Sequence, residues 1–123
     1  MMLLLLSVAA GLATPVVEQS PDKLTQQALW TYRSCVSSEA VRLDDRRESA
    51  TVLADSGLVS CSEARSSMTK IIATTILMRT TSPPGTNAEK LSAMSAARGE
   101  MVELDKYVKG KAVLAVLEAR AKK

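Results

Sequence analysis

Residues 35–61 read CVSSEAVRLDDRRESATVLADSGLVSC, and this stretch decides the fold. It opens and closes on the chain's two cysteines, and a charged run, Asp44-Asp45-Arg46-Arg47-Glu48, lies between them. Five consecutive charged residues do not pack, so the run marks a solvent-facing turn. Each cysteine sits on a segment with helical spacing that leads into or out of that turn. The expectation is an antiparallel helical hairpin. In such a hairpin, positions equidistant from the turn face each other. The midpoint of Cys35 and Cys61 is Glu48, which places each cysteine about three to four turns from the reversal. Facing helices lie about 8–10 Å apart, and the small neighbours Ser34, Ser38, Ser60, Ser62 and Ala64 allow closer approach toward disulfide range. A structural disulfide is the expected outcome. Two buried free thiols or a redox switch are the alternatives.

Upstream, Ser20-Pro21-Asp22 has the composition of a helix start, with Ser as N-cap and Pro in the first turn. Leu24, Ala28, Leu29, Tyr32, Cys35, Val36 and Leu43 then recur at helical steps, predicting a first helix over about 21–44. Asp45 and Glu48 stand at capping-box spacing for the next helix. That helix is expected over about 48–80, with Val52, Leu53, Val59, Cys61, Ala64, Met68, Ile71, Ile72, Thr75, Leu77 and Met78 as its apolar side. Gly57 is either a point of close approach to the first helix or a tolerated kink. The β-branched stretch at 71–78 could also suit a strand, but no partner strand is visible. Thr80-Thr81-Ser82-Pro83-Pro84-Gly85 is the clearest breaker. Thr86 and Glu89 then form a second capping-box pair. A third helix follows over about 86–120, on Leu91, Met94, Ala97, Met101, Leu104, Val108, Ala112, Ala115 and Ala119. Gly99 and Gly110 weaken it, and Gly110 is a place where it could split.

The fold class expected is therefore all-α: a disulfide-pinned antiparallel helical hairpin plus a third long helix, forming an elongated three-helix bundle. A chain of 123 residues suits one small domain, here 21–123. With 46% hydrophobic residues, no Phe, one Trp and two Tyr, its core must be aliphatic. Helices of this length on so short a chain leave apolar faces for a protein partner or for self-association.

Residues 1–13, MMLLLLSVAAGLA, read as a signal peptide cleaved after Ala13, with Ala9 or Gly11 as alternative sites. A helix of that length reaches about 20 Å, short of the ~30 Å hydrocarbon core, so no stable membrane span is expected after cleavage. No Lys or Arg precedes the run, so either the start lies upstream or the signal is atypical. A buried N-terminal helix of a cytosolic protein is the other reading. Residues 14–20 form an extended lead bracketed by Pro15 and Pro21. A periplasmic or secreted location follows from the export reading, and it favours the disulfide.

Chemistry is sparse. There is no histidine, which removes Ser-His-Asp and Cys-His nucleophilic systems and most zinc sites. No P-loop, GxGxxG or GxSxG is present. The carboxylate candidates are Asp44 with Asp45, Glu100 with Glu103, and Asp105; Asp44 and Asp45 read as solvated charge in the turn, and Glu100 with Glu103 reads as a solvated face, with cation binding as the alternative. The methionines Met68, Met78, Met94 and Met101 read as core filler. Net charge is +3 from 16 basic and 13 acidic residues, too weak to indicate nucleic acid. No catalytic residue, metal ligand, cofactor or nucleic-acid partner is expected, and the only site named is the Cys35–Cys61 pair.

Two resemblances bear on this. Leu29-Trp30, Cys35, the run Ala40 to Leu43, the charged turn, Glu48-Ser49-Ala50, Leu53-Ala54-Asp55 and Cys61 together resemble small exported bacterial helical proteins of unknown function, with one cysteine on each hairpin arm. That resemblance, over residues 28–70, implies a fold and an address. Leu24-Thr25-Gln26-Gln27 resembles the LTxxQ motif of periplasmic chaperones, departing from it at Ala28, where that motif has Gln. Together they imply a non-enzymatic exported helical protein, an envelope interaction or structural module, with a holdase-like periplasmic chaperone as the alternative.

Overall fold

The computed structural model describes residues 21–80 and 85–122. The expected signal peptide, the extended lead with Ser20, and the centre of the Pro-rich breaker lie outside the described residues. Four α-helices and no strands occur among those described: α1 Pro21–Arg42, α2 Ala50–Ser60, α3 Ser62–Thr80 and α4 Asn87–Ala121. The β-branched stretch at 71–78 is helical. Buried within α3, Thr69 and Thr75 satisfy their hydroxyls by donating to the carbonyls of Arg65 (2.9 Å) and Ile71 (2.8 Å).

In α1 the buried line is Tyr32, Val36 and Ala40, one residue per turn. The helix ends at Arg42, earlier than expected, and the chain reverses through 43–49. This reversal is held by its own carboxylates. Asp44 Oδ1 accepts from Arg46 N (2.8 Å), and Asp45 Oδ1 accepts from Arg47 N (2.9 Å) and Glu48 N (3.2 Å). Arg46 takes a left-handed φ of 64°. The capping box expected from Asp45 and Glu48 does not form. Asp45 is spent on the turn, and Ser49 is the N-cap, its hydroxyl accepting from Val52 N at 3.2 Å.

The helix expected over 48–80 is divided into α2 and α3 at Cys61, which leaves helical geometry (φ −102°, ψ 31°). Residues 56–62, SGLVSCS, are mostly poor helix formers, so propensity does little to resist an interruption. The interruption falls at the residue tied to α1. The hydrogen-bond ladder nevertheless bridges it, through Cys61 N to Gly57 O and Arg65 N to Cys61 O, both at 3.0 Å.

Gly57 is a point of close approach. A methyl built there would lie 2.7 Å from the Val36 carbonyl oxygen and 3.4 Å from the Ala40 amide nitrogen. Backbone atoms cannot swing aside as a side-chain tip can. Gly57→Ala is therefore expected to destabilise by about 1–2 kcal/mol, overpacking outweighing the roughly 1 kcal/mol gained in helix propensity. Urea unfolding measures this, and an unchanged or raised midpoint would contradict it.

The capping box of α4 is complete: Thr86 Oγ1 accepts from Glu89 N (3.1 Å), and Thr86 N donates to Glu89 Oε1 (2.7 Å). At 35 residues α4 is about 52 Å long. It passes through Gly99 and Gly110 without a break, so the split considered at Gly110 does not occur. Its buried line is Ala93, Ala97, Met101, Val108, Ala112 and Val116. Leu91, expected in that line, is 71% exposed, because the stripe runs back from Ala97 by one turn to Ala93. Val52, Val59 and Met78 are likewise on the surface, not in the core. α4 packs against α1, α2 and α3 in turn. The core it closes is rich in alanine, with Tyr32, Met68, Met101, Val36, Val108 and Val116 as its largest fully buried side chains.

Candidate functional site

Side chains from three helices converge beside the cysteine pair. Cys35 on α1 and Cys61 between α2 and α3 form a disulfide, with Cα atoms 6.1 Å apart. One turn before Cys35 on α1 stands Tyr32, and one turn past Cys61 stands Arg65. Asp105 of α4 meets both. Tyr32 OH donates to Asp105 Oδ1 at 2.6 Å, and Arg65 grips the same carboxylate through Nε (3.0 and 3.1 Å) and Nη2 (2.6 Å). This fork-on-carboxylate arrangement fixes orientation as well as charge.

Tyr32 is fully buried. Burial first, then donation to the Asp105 carboxylate, push its phenol well above the ordinary value of 10, against a smaller opposing effect of Arg65. The phenol therefore stays neutral and donating. The Arg65 guanidinium is pushed up by its bonds to Asp105. No side-chain polar atom buried among the described residues lacks a partner. The cluster is built to hold three helices at one level.

A second tie sits at the turn. Arg120, in the last turn of α4, donates Nε to Asp44 Oδ2 (2.9 Å) and Nη2 to Asp44 Oδ1 (2.7 Å) and to the Glu48 carbonyl (2.7 Å). These bonds, aided by the Arg46 backbone N–H and opposed by desolvation, pull the Asp44 carboxyl down to about 2. A depressed carboxyl stabilises the fold above its ordinary value of 3.8, and that contribution is lost as pH falls through about 2. Carboxyl NMR should show Asp44 titrating near that low value, returning toward 3.8 in Arg120→Met. An unshifted Asp44 in the parent chain would remove the tie.

A third tie joins α2 to α4, Lys109 Nζ to Asp55 Oδ1 at 2.9 Å. On the surface between α1 and α4, Arg33 Nη1 donates to Tyr107 OH (3.0 Å), and Lys111 lies 5.7 Å from the centre of that ring. A shallow groove beside them is lined by Ser34, Ser37, Ser38, Leu114 and Glu118.

Of the sequence candidates, Cys35 and Cys61 are brought together. Asp44, Asp45 and Asp105 are all engaged in the fold and are not free solvated charge. Glu103 pairs with Lys106 at 3.3 Å on the surface. Met68 and Met101 are core, Met94 is half-buried and Met78 is exposed. No group of three or more metal-ligating side chains occurs among the described residues. No helix among them is long and apolar enough to cross a membrane. The sequence placed Tyr32 on the apolar stripe of the first helix but gave no sign of its tie to Asp105, nor of the ties of Arg65 and Arg120, because their partners lie 40 to 76 residues away.

The molecule is thus an all-α protein with one disulfide and a polar tie through its centre. No protein-family model, no curated protein and no solved structure matches the chain.

Proposed function

We propose that the chain is a non-enzymatic exported helical protein, an interaction or structural module of the bacterial envelope, working in the periplasm or outside the cell. The observation that carries this reading is a disulfide-bonded helical fold that leaves large apolar side chains on its outer faces, Leu91 at 71%, Val59 at 77% and Trp30 at 62% exposure. Its resemblance to small exported bacterial hairpin proteins points the same way.

The same reading takes the architecture as an elongated three-helix bundle: α1 and α2 as the pinned hairpin, α3 prolonging α2, and α4 as the third long helix. The pairs Cys35–Cys61, Val36–Gly57, Asp55–Lys109 and Arg65–Asp105 support it, each running in opposite chain directions.

The test is expression with the native N-terminus, followed by cell fractionation, intact mass and non-reducing peptide mapping. The expected product is an oxidised chain beginning at Thr14 outside the cytoplasm. An unprocessed cytosolic chain with Met1 intact would overturn the reading. A holdase-like chaperone is the second reading, favoured by the exposed Leu24 and Trp30 on α1. It requires the oxidised protein to slow aggregation of an unfolded client, and no slowing at stoichiometric excess rejects it.

A further inference from the structure

The disulfide meets the chain at the one position between Ala50 and Thr80 that is not helical. Cys61 alone separates α2 from α3. Its N–H still reaches Gly57 O, and its carbonyl still accepts from Arg65 N. Between these two bonds the ladder is empty. Among the described residues, the N–H groups of Ser62, Glu63 and Ala64 donate to no carbonyl of α2, and the carbonyls of Leu58, Val59 and Ser60 accept from none of them. In a continuous helix these six groups are each other's partners. Val59, Ser60, Ser62 and Glu63 all lie on the surface, so water serves the open groups. Nothing local demands the gap, because residues 58–64 contain neither proline nor glycine. What sets Cys61 apart is its tether. It is bonded to α1, and one turn on, Arg65 is held by Asp105 of α4.

We infer that the Cys35–Cys61 bond holds this gap open, and that its reduction lets α2 and α3 join into a single helix from Ala50 to Thr80. The chemical step is thiol–disulfide exchange with a dithiol. Cys35 is half-buried and Cys61 is 2% exposed, so the incoming thiolate attacks the Cys35 sulfur. Cys61 leaves as a thiolate and takes a proton from solvent. The second thiol of the reductant then displaces Cys35. Two electrons and two protons pass to the protein, and the reductant closes its own disulfide. Joining the helices requires ψ of Cys61 to turn from 31° to about −42°. α2 is the arm free to follow. Its polar hold on α4 is the exposed Lys109–Asp55 pair, whereas α3 keeps the Arg65 fork on Asp105. Reduction therefore moves α2 against α1, and the two oxidation states differ in shape.

The experiment is backbone NMR with amide hydrogen exchange on the purified chain, oxidised and in dithiothreitol, in the cold. Cys35→Ala/Cys61→Ala is measured alongside. In the oxidised chain the amides of Ser62, Glu63 and Ala64 should exchange almost unprotected. In the reduced chain they should slow at least about tenfold, while the chain as a whole melts lower. Cys61 should take helical carbon shifts at the same time. The alanine pair should show the same protection at residues 62–64 without reductant. With glutathione as a one-thiol probe, mass mapping should find the mixed disulfide on Cys35. Amides that stay unprotected on reduction overturn the proposal, as do amides already protected in the oxidised chain. A reduced chain and an alanine variant that both unfold overturn it too, since a switch needs two folded states. A mixed disulfide on Cys61 alone overturns the order of exchange. Because purified protein suffices, these outcomes are independent of whether the chain is exported.

Discussion

Reducing the Cys35–Cys61 bond, or replacing both cysteines by serine, is expected to lower stability by roughly 3–4 kcal/mol. The bond closes a loop across 26 positions of sequence, and in the chain-entropy view its effect lies mainly in what it denies the unfolded chain. That is a large share of the 5–15 kcal/mol typical of whole domains. It matters more here because the core is rich in alanine, which buries little apolar area per residue. For a domain of this size the melting midpoint should fall by roughly 12–30 °C. Thermal circular dichroism with and without reductant measures it directly. A shift of only a few degrees would mean that the helices hold without the bond, and that the cysteines serve something other than stability.

The second large effect belongs to Asp105. Removing its carboxylate strands the hydroxyl of a fully buried tyrosine, at about 1–3 kcal/mol, and releases the Arg65 fork. Arg65 is 41% exposed, so its ion pair is screened and adds only about 0–1 kcal/mol. Asp105→Ala is expected to cost about 2–3 kcal/mol. Asp105→Asn keeps an acceptor for Tyr32 and should cost about half as much. Tyr32→Phe leaves the Arg65 pair intact and should cost about 1 kcal/mol. If alanine and asparagine at 105 prove equal in urea unfolding, the tyrosine bond is not what the carboxylate supplies. Alkali offers an independent check. The Tyr32 phenol is raised on folding, so its contribution is whole below the ordinary phenol value of 10 and is lost as pH climbs beyond it. Tyr32→Phe should flatten that alkaline loss.

The helices on either side of the turn and the disulfide between them were legible because their signals are local. Helical spacing, a charged turn and two cysteines equidistant from it all lie within residues 35–61. Thr86 and Glu89 formed the expected box for the same reason. What escaped the sequence was decided at long range. Asp44 and Asp45 looked like solvated charge and Asp105 was a carboxylate without an assigned role, and each is engaged by a partner. Asp45 turns to its own loop, so Ser49 takes the cap. Arg65 and Arg120 look like ordinary surface cations until α4 is laid against the other helices. Apolar spacing misplaced Leu91, Val59 and Met78, because periodicity identifies a stripe but counts exposed apolar residues with buried ones. The break at Cys61 has no proline to announce it.

The alanines in the buried line of α4 have a further consequence. Ala93, Ala97 and Ala112 cost no rotamer entropy to bury, but they leave only Met101, Val108 and Val116 along that line to interlock with the other helices. So sparse a set of protrusions resists axial sliding of the rail weakly. Polar ties add to the indexing of axial position. Asp105, Lys109 and Arg120 do this, each engaged by a different part of the chain: α1 with α3, α2, and the turn. They act as detents along the rail, so that α4 is positioned by its charges while its alanines bring it close.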